Sequence, residues 1–342
     1  MNILIVKLSS LGDVLHNLPI VWDLRKQYPD ANIDWVVEEG YVSLIEPLRT
    51  VTEFKGIDRI IPLGFRRWKK SLFNKKTRSE ISAFRQELRL VSYDLVIETQ
   101  GLIKSAVVSR LARRNLGGSI TGLGNATEGS GYEPMARWFY TRCVQVPKQC
   151  HAVERSRLVA AEAINSSTTL GIPQFYPQVF VDTLAKKNQE ISADFNGPYI
   201  LFFHATARTA KTWNEDNWIK TGQHLAKIGC RVILPWGNLA EKTVSERLCQ
   251  QIPNAVVPKA FNLTQAFSIV AGAQMIIGVD TGLTHLSAIM CKPTIELYCD
   301  SPRWKTEGFW SEKIKNLGDI AQPPSVQQVL TAIQQILPQY QS

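Results

Sequence analysis

No two cysteines of this 342-residue chain stand in the C-x-x-C spacing of a zinc site. Cys143 and Cys150 lie seven apart, and Cys291 and Cys299 eight apart across Pro293. Isolated cysteines are usually small buried hydrophobes, so free thiols in a reducing compartment are expected. No apolar run reaches the roughly 18 residues of a spanning helix. Before Lys7 only Ile3-Leu4-Ile5-Val6 run together, too short for a secretory core. The expectation is a soluble protein that stays where it is made. Also missing are the G-x-G-x-x-G fingerprint and the Walker lysine, which weighs against a dehydrogenase or a P-loop enzyme.

What is present is ordinary globular composition, with 44% hydrophobic and 20% charged residues, and a length that suits two domains. The formal charge of +9 points to an anionic partner: nucleic acid, a membrane surface or a phosphorylated substrate.

Short β-branched runs alternate with helical patterns. Asn2 to Leu8, Ile33 to Val37, Arg59 to Leu63 and Leu95 to Thr99 read as strands, with helices over Val14 to Gln27, Arg78 to Leu90, Ile103 to Leu111 and Val153 to Asn165. Residues 115–150 lose this period and read as loop and short helix. A second series begins at Tyr199 to Phe203 and continues through strands at Arg231 to Pro235, Met275 to Val279 and Thr294 to Tyr298. Helices are expected between them and over Ser325 to Leu337. Such alternation predicts an α/β protein with two Rossmann-like doubly wound domains facing each other across a cleft. The expected division is 1–170, a connector over 171–197, and 198–322, followed by a terminal segment over 323–342.

Three strand-to-helix junctions carry polar residues suited to chemistry. Ser9-Ser10-Leu11-Gly12-Asp13 offers a carboxylate at a helix start, although Asp13 could equally serve as a cap. His204 to Lys211 gathers hydroxyls with Arg208 and Lys211, a combination suited to phosphate or to an ordinary polar loop. Val279-Asp280-Thr281-Gly282-Leu283-Thr284-His285 ends a strand and starts a helix whose free N–H groups suit an anion; capping and a satisfied core histidine are the plain alternative. Between Arg66 and Arg78 stand seven cations in thirteen residues without an acid. They read as a solvated loop or as a phosphate patch, with Trp68 and Phe73 offering affinity for an apolar or interfacial neighbour. Lys104 would project from another strand end.

At these positions the chain resembles the lipopolysaccharide heptosyltransferase I family. The resemblance is carried by Lys7 to His16, Trp35 to Gly40, Arg66-Arg67-Trp68, Gln100-Gly101-Leu102 with Lys104-Ser105, His151 to Arg155, Leu234 to Gly237 and Asp280 to Leu283. It implies an inverting, metal-independent glycosyltransferase of the GT-B fold, with no cofactor. The implied donor is ADP-heptose and the acceptor the inner Kdo of Kdo2-lipid A. Asp13 matches the proposed general base, and Lys211 is the second catalytic candidate. Thr206, Lys211, Glu241, Phe261, Asp280, Thr281, Gly282, Leu283 and His285 match the donor side. Ser10, Gly12, Arg66, Arg67, Lys69, Lys70 and Lys104 match the acceptor side. The first domain would bind acceptor and the second the nucleotide sugar, with the C-terminal helix packing back on the first. Ala207 and Tyr298-Cys299-Asp300-Ser301 depart from the family pattern. The implied location is cytoplasmic, peripheral at the inner membrane's cytoplasmic face, with contact to anionic lipid. Heptosyltransferase II, or another nucleotide-sugar transferase of this fold, is the alternative. A nucleic-acid-binding protein is a weaker one, because no binding motif accompanies the charge.

Overall fold

The computed structural model describes residues 1–50, 55–166, 170–187, 195 and 197–337. The chain divides into two compact units, Met1–Phe175 and Tyr176–Ser342. Each is built on a parallel sheet. The first holds β1 (Asn2–Val6), β2 (Asn32–Glu38), β3 (Arg59–Leu63), β4 (Tyr93–Glu98), β5 (Arg114–Leu123) and β6 (Arg142–Val144), in the order β3-β2-β1-β4-β5-β6. The second holds β7 (Tyr199–Phe203), β8 (Arg231–Ile233), β9 (Met275–Val279), β10 (Thr294–Tyr298) and β11 (Ile314–Gly318), in the order β11-β10-β9-β7-β8. The central strands are buried almost end to end, which is why they read as continuous apolar runs rather than as alternating ones.

Two expectations are corrected. Residues 115–150 are not only loop and short helix, because they carry β5, β6 and the 3-10 helix Pro134–Phe139. β5 escaped notice because its pairing with β4 slips between Tyr93 and Leu95, and the slip is built from glycine. Gly117 has φ +80°, and a Cβ on Gly118 would meet the Tyr93 carbonyl at 2.7 Å. The expected helix over Val14 to Gln27 is two helices, Leu11–Leu15 and Pro19–Gln27. Proline at the first position of the second explains the break.

Much of the expected connector is structured. Helix Gln178–Lys187 packs on helix Leu263–Gly272, and the rings of Tyr176, Phe180 and Phe267 lie 5.5, 5.6 and 5.8 Å apart. Residues 188–194 and 196 of that connector, and 338–342 of the terminal segment, lie outside the described residues. The terminal helix Val326–Ile336 was expected on the first domain. Its buried face of Val329, Ala332 and Ile333 lies in the second unit's core, with Trp218, Leu297 and Leu225. All six cysteines are free thiols. No described helix is long and apolar enough to cross a membrane.

Close packing beneath β9 allows no side chain at Gly278, where a Cβ would fall 2.1 Å from Thr284 Oγ1 and 3.0 Å from Phe203 Cβ. Gly278→Ala should therefore destabilise the second unit by about 1–3 kcal/mol. Thermal denaturation checks this; an unchanged melting temperature would mean that the helix Gly282–Ile289 has room to move.

Candidate functional site

In each sheet the first strand of the unit is flanked on both sides, so the crossover direction reverses beside it. In the first unit the reversal falls between β1 and β4, and in the second between β7 and β9. Ligands of doubly wound sheets bind beyond the carboxyl ends of the strands at such points. Asp13 and Lys104 follow β1 and β4, while Thr206, Lys211 and Asp280 follow β7 and β9. The polar junctions of the sequence therefore sit where the topology leaves room for a ligand.

In the first unit, Asp13 is the third residue of helix Leu11–Leu15. It accepts from the Ser10 amide at 3.0 Å and from the Ser10 hydroxyl at 2.7 Å. It does serve as a cap, yet its side chain stays 40% exposed, with the Arg155 guanidinium 3.9 Å away. Burial opposes its ionisation. The Lys7 ammonium, the Ser10 contacts and Arg155 outweigh burial and hold the carboxyl well below the usual range. Lys7 is itself buried, donating to the Thr99 carbonyl at 3.1 Å. Desolvation, with Arg155 acting the same way, brings its ammonium down to about 8 against the pull of Asp13 and Glu98. Lys104 donates to Ser9 Oγ at 3.1 Å, which joins the β4 end to the β1 loop. Burial lowers the Lys104 pKa; Glu38, Arg66, Glu133 and Lys69 also act on it electrostatically.

The cationic run divides. Arg66, Lys69 and Lys70 are exposed, and Arg66 lies over the Tyr41 ring at 5.3 Å. Arg67 is held between Glu39, at 3.0 and 3.1 Å, and Glu80. Trp68 is buried and donates to Glu80 at 2.8 Å, so it is core rather than an interfacial side chain. Phe73 is 89% exposed and Leu72 52%, with cations on either side in the sequence.

In the second unit four charged groups form a chain. Lys211 pairs with Asp280 Oδ2; Asp280 Oδ1 meets His285 Nε2 at 2.9 Å; His285 Nδ1 meets Glu296 Oε1 at 3.0 Å. Burial opposes charge on His285. The hydrogen bonds and charges of Asp280 and Glu296 win, pushing its pKa up to about 10. Burial likewise works against Asp280, but His285 and Lys211 hold it far below the carboxylate range. Thr206 Oγ1 donates to the Asp280 carbonyl at 3.3 Å. Thr281 is the N-cap of helix Gly282–Ile289, so Gly282 and Leu283 present the first free amides. Glu241 caps helix Leu239–Gln251, accepting from Gly237 N–H and from Asn238 Nδ2, both at 2.7 Å. Phe261 is half-buried against Phe195.

Four charged residues that the sequence reading left without a role stand inside these clusters: Lys7, Glu98, Arg155 and Glu296. Three of them were visible as charges within or just after apolar strands, where a charge needs a partner. Arg155 gave only its place in the His151 to Arg155 motif.

The shared carboxylate of Asp280 makes a direct test. Asp280→Asn should cost about 3–5 kcal/mol, because Lys211 and His285 would lose the carboxylate they share. The stability that wild-type His285 contributes is complete below about pH 6.5 and is lost as pH rises through about 10. Urea denaturation should show the second unit weakening over that window in wild type, and changing less in Asp280→Asn.

Comparison with known proteins identifies the family. The family model for glycosyltransferase family 9 (heptosyltransferase) matches residues 81–335. The chain is 37% identical to lipopolysaccharide heptosyltransferase 1 of Salmonella typhimurium, over 87% of this chain and 88% of that protein. It is 36% identical to the Pseudomonas aeruginosa protein of the same name, over 87% of this chain and 78% of that one. Among solved structures, E. coli heptosyltransferase WaaC with ADP superposes with a TM-score of 0.79 at 32% identity, covering 100% of both chains. The α/β class with two doubly wound parallel sheets is thus also the fold of its relatives. The chain belongs to the glycosyltransferase family 9 heptosyltransferases.

Proposed function

We propose that the enzyme transfers heptose from ADP-heptose to the inner Kdo of Kdo2-lipid A, in lipopolysaccharide core synthesis, with inversion at the anomeric carbon. The observation that carries this reading is that each unit has a reversal point of its own character: the first unit's bears an ionised carboxylate among cations, the second's a buried charge chain beside free helix amides. Similarity to lipopolysaccharide heptosyltransferase 1 sets the sugar and the pathway. WaaC solved with ADP, and with ADP-2-deoxy-2-fluoro heptose, supports the nucleotide donor.

On this reading the first unit holds the acceptor. Arg66, Lys69, Lys70 and Lys104 meet its phosphates and carboxylates, with Ser10 and Gly12 lining the approach to Asp13. Arg67 acts chiefly through its two carboxylate partners, which keep the cationic segment in place. Asp13 takes the proton from the attacking hydroxyl. Its low proton affinity suits a transfer that occurs late, once the new C–O bond has made that hydroxyl acidic. The second unit holds the donor, with Lys211, Thr206 and the amides of Gly282 and Leu283 on the diphosphate, Glu241 on the ribose and Phe261 against the adenine. His285 and Asp280 stand at the sugar end. Charge growing on the departing ADP is met by the Lys211 ammonium and backbone donors, so no metal is needed. We place the enzyme in the cytoplasm, peripheral to the inner membrane, with exposed Leu72 and Phe73 among cations as the contact with anionic lipid.

ADP release on mixing the protein with ADP-heptose and EDTA should depend on added Kdo2-lipid A. Release that needs restored metal would refute metal independence, and no release under either condition would refute the donor and acceptor pair. Asp13→Ala should keep ADP affinity and lose about 10²–10⁴-fold in turnover. In wild type, Asp13 should impose no acid limb on the rate between pH 5 and 8, since its carboxyl titrates well below that range. Replacing Arg66, Lys69 and Lys70 together by alanine should raise the acceptor KM severalfold and leave ADP binding unchanged; an unmoved KM would make the patch mere surface.

A further inference from the structure

Glu296 has no role in the reading above, yet it is a carboxylate in the middle of a buried strand with no exposed surface at all. Its surroundings fix it firmly. One oxygen accepts from the Gly308 amide at 2.8 Å and the Tyr298 hydroxyl at 3.3 Å, and the other faces His285 Nδ1 at 3.0 Å. On the far side of the ring, His285 Nε2 faces Asp280 Oδ1 at 2.9 Å. A neutral imidazole has one N–H and one lone pair, so with an acceptor oxygen facing each nitrogen one of them would point its lone pair at another. The ring escapes this only by donating from both nitrogens, which makes it an imidazolium. Asp280 holds two cations, His285 on one oxygen and Lys211 on the other.

Those two cations differ in freedom. His285 is buried on helix Gly282–Ile289, facing β10, whereas Lys211 ends the short 3-10 helix Thr209–Lys211 with its side chain 19% exposed. Under the donor-site reading, on which this inference rests, Lys211 turns from Asp280 to the diphosphate. Asp280 would then face an anionic ligand with one cation fewer. We infer that Glu296 is a positioning residue for the donor site: it keeps His285 charged and fixed, so that Asp280 stays neutralised when Lys211 engages the diphosphate. The charged groups around the ring are Asp280 from the end of β9 and Glu296 from β10. Tyr298 lies behind Glu296 and Lys211 behind Asp280. Replacing Glu296 by glutamine retains an acceptor for Gly308 and Tyr298, and lets the amide donate to a neutral ring. His285 would then titrate nearer the ordinary histidine range.

The test has two readouts. His285 is followed by NMR of histidine-labelled protein, assigned with His285→Gln, in wild type and in Glu296→Gln. In wild type the ring should stay protonated beyond pH 8; in Glu296→Gln its midpoint should fall by more than about two units, toward the ordinary histidine range, a change of over a hundredfold in proton affinity that leaves the ring largely neutral at pH 8.5. ADP affinity is then measured by calorimetry at pH 6 and pH 8.5 for wild type, Glu296→Gln and Glu296→Asp. The ratio of Glu296→Gln to wild type, which cancels the ionisation of ADP itself, should worsen on the order of tenfold as pH rises. Glu296→Asp, which keeps the charge, should restore most of that loss. A merely structural role would weaken ADP equally at both pH values, and that result overturns the inference. So does an identical His285 midpoint in wild type and Glu296→Gln. If Glu296→Gln does not fold, the wild-type titration decides, and a midpoint near 6.5 overturns the proposal. Wild-type protein that binds no ADP at either pH refutes the donor-site reading instead, and the NMR arm still decides whether Glu296 governs the charge of His285.

Discussion

Parallel pairing is the constraint from which the rest follows. Every described strand pair is parallel, so all the carboxyl ends of one sheet emerge along a single edge. Interior strand positions can then be almost wholly apolar, while chemistry collects in the loops at that edge. Reversal of the crossover beside β1 and β7 opens the edge at one place per sheet. Asp13 and Lys211 lie in these openings because the loops leaving β1 and β7 have nowhere else to go.

Buried charge is the second theme. Lys7, Glu98, Arg155, Asp280, His285 and Glu296 are all largely or wholly removed from solvent. Isolated, each would shed its charge or unfold its surroundings. They persist because they are coupled: Lys7 and Arg155 act on Asp13, while Asp280 and Glu296 clasp His285. Such networks are weak evidence for stability, since well-packed apolar replacements are often as stable. Their value is in fixing charge at a defined place, as the proposed transfer between two anionic substrates requires.

Much of this was legible in the chain. β1, β7, β9 and β10 announced themselves as short apolar runs, and the helix at Gly282 followed from Asp280-Thr281-Gly282. β5 and β6 did not, because a strand that slips its register through Gly117 and Gly118 loses the apolar pattern by which strands are read. The terminal helix was legible as an amphipathic segment, but such spacing reports that a face is buried and not what buries it. Of the site, the residues at strand ends could be found because a polar residue after an apolar run is conspicuous. Glu296 was conspicuous too, inside Thr-Ile-Glu-Leu-Tyr, but its meaning depends on His285, eleven residues away and opposite in space. Trp68 was misread because an aromatic within a cationic run resembles an interfacial anchor, whereas its indole is folded inward onto Glu80.

That inward turn has a further effect. Arg67 and Trp68 both hold Glu80, which belongs to the next helix, Lys75–Leu88. The segment bearing Arg66, Lys69 and Lys70 is therefore clamped by an acid of a neighbouring element. Long basic side chains on a loose loop lose conformational entropy whenever they gather around an anion. Here the backbone share of that loss falls on folding, and only the ends of the side chains remain to be ordered when an anion arrives.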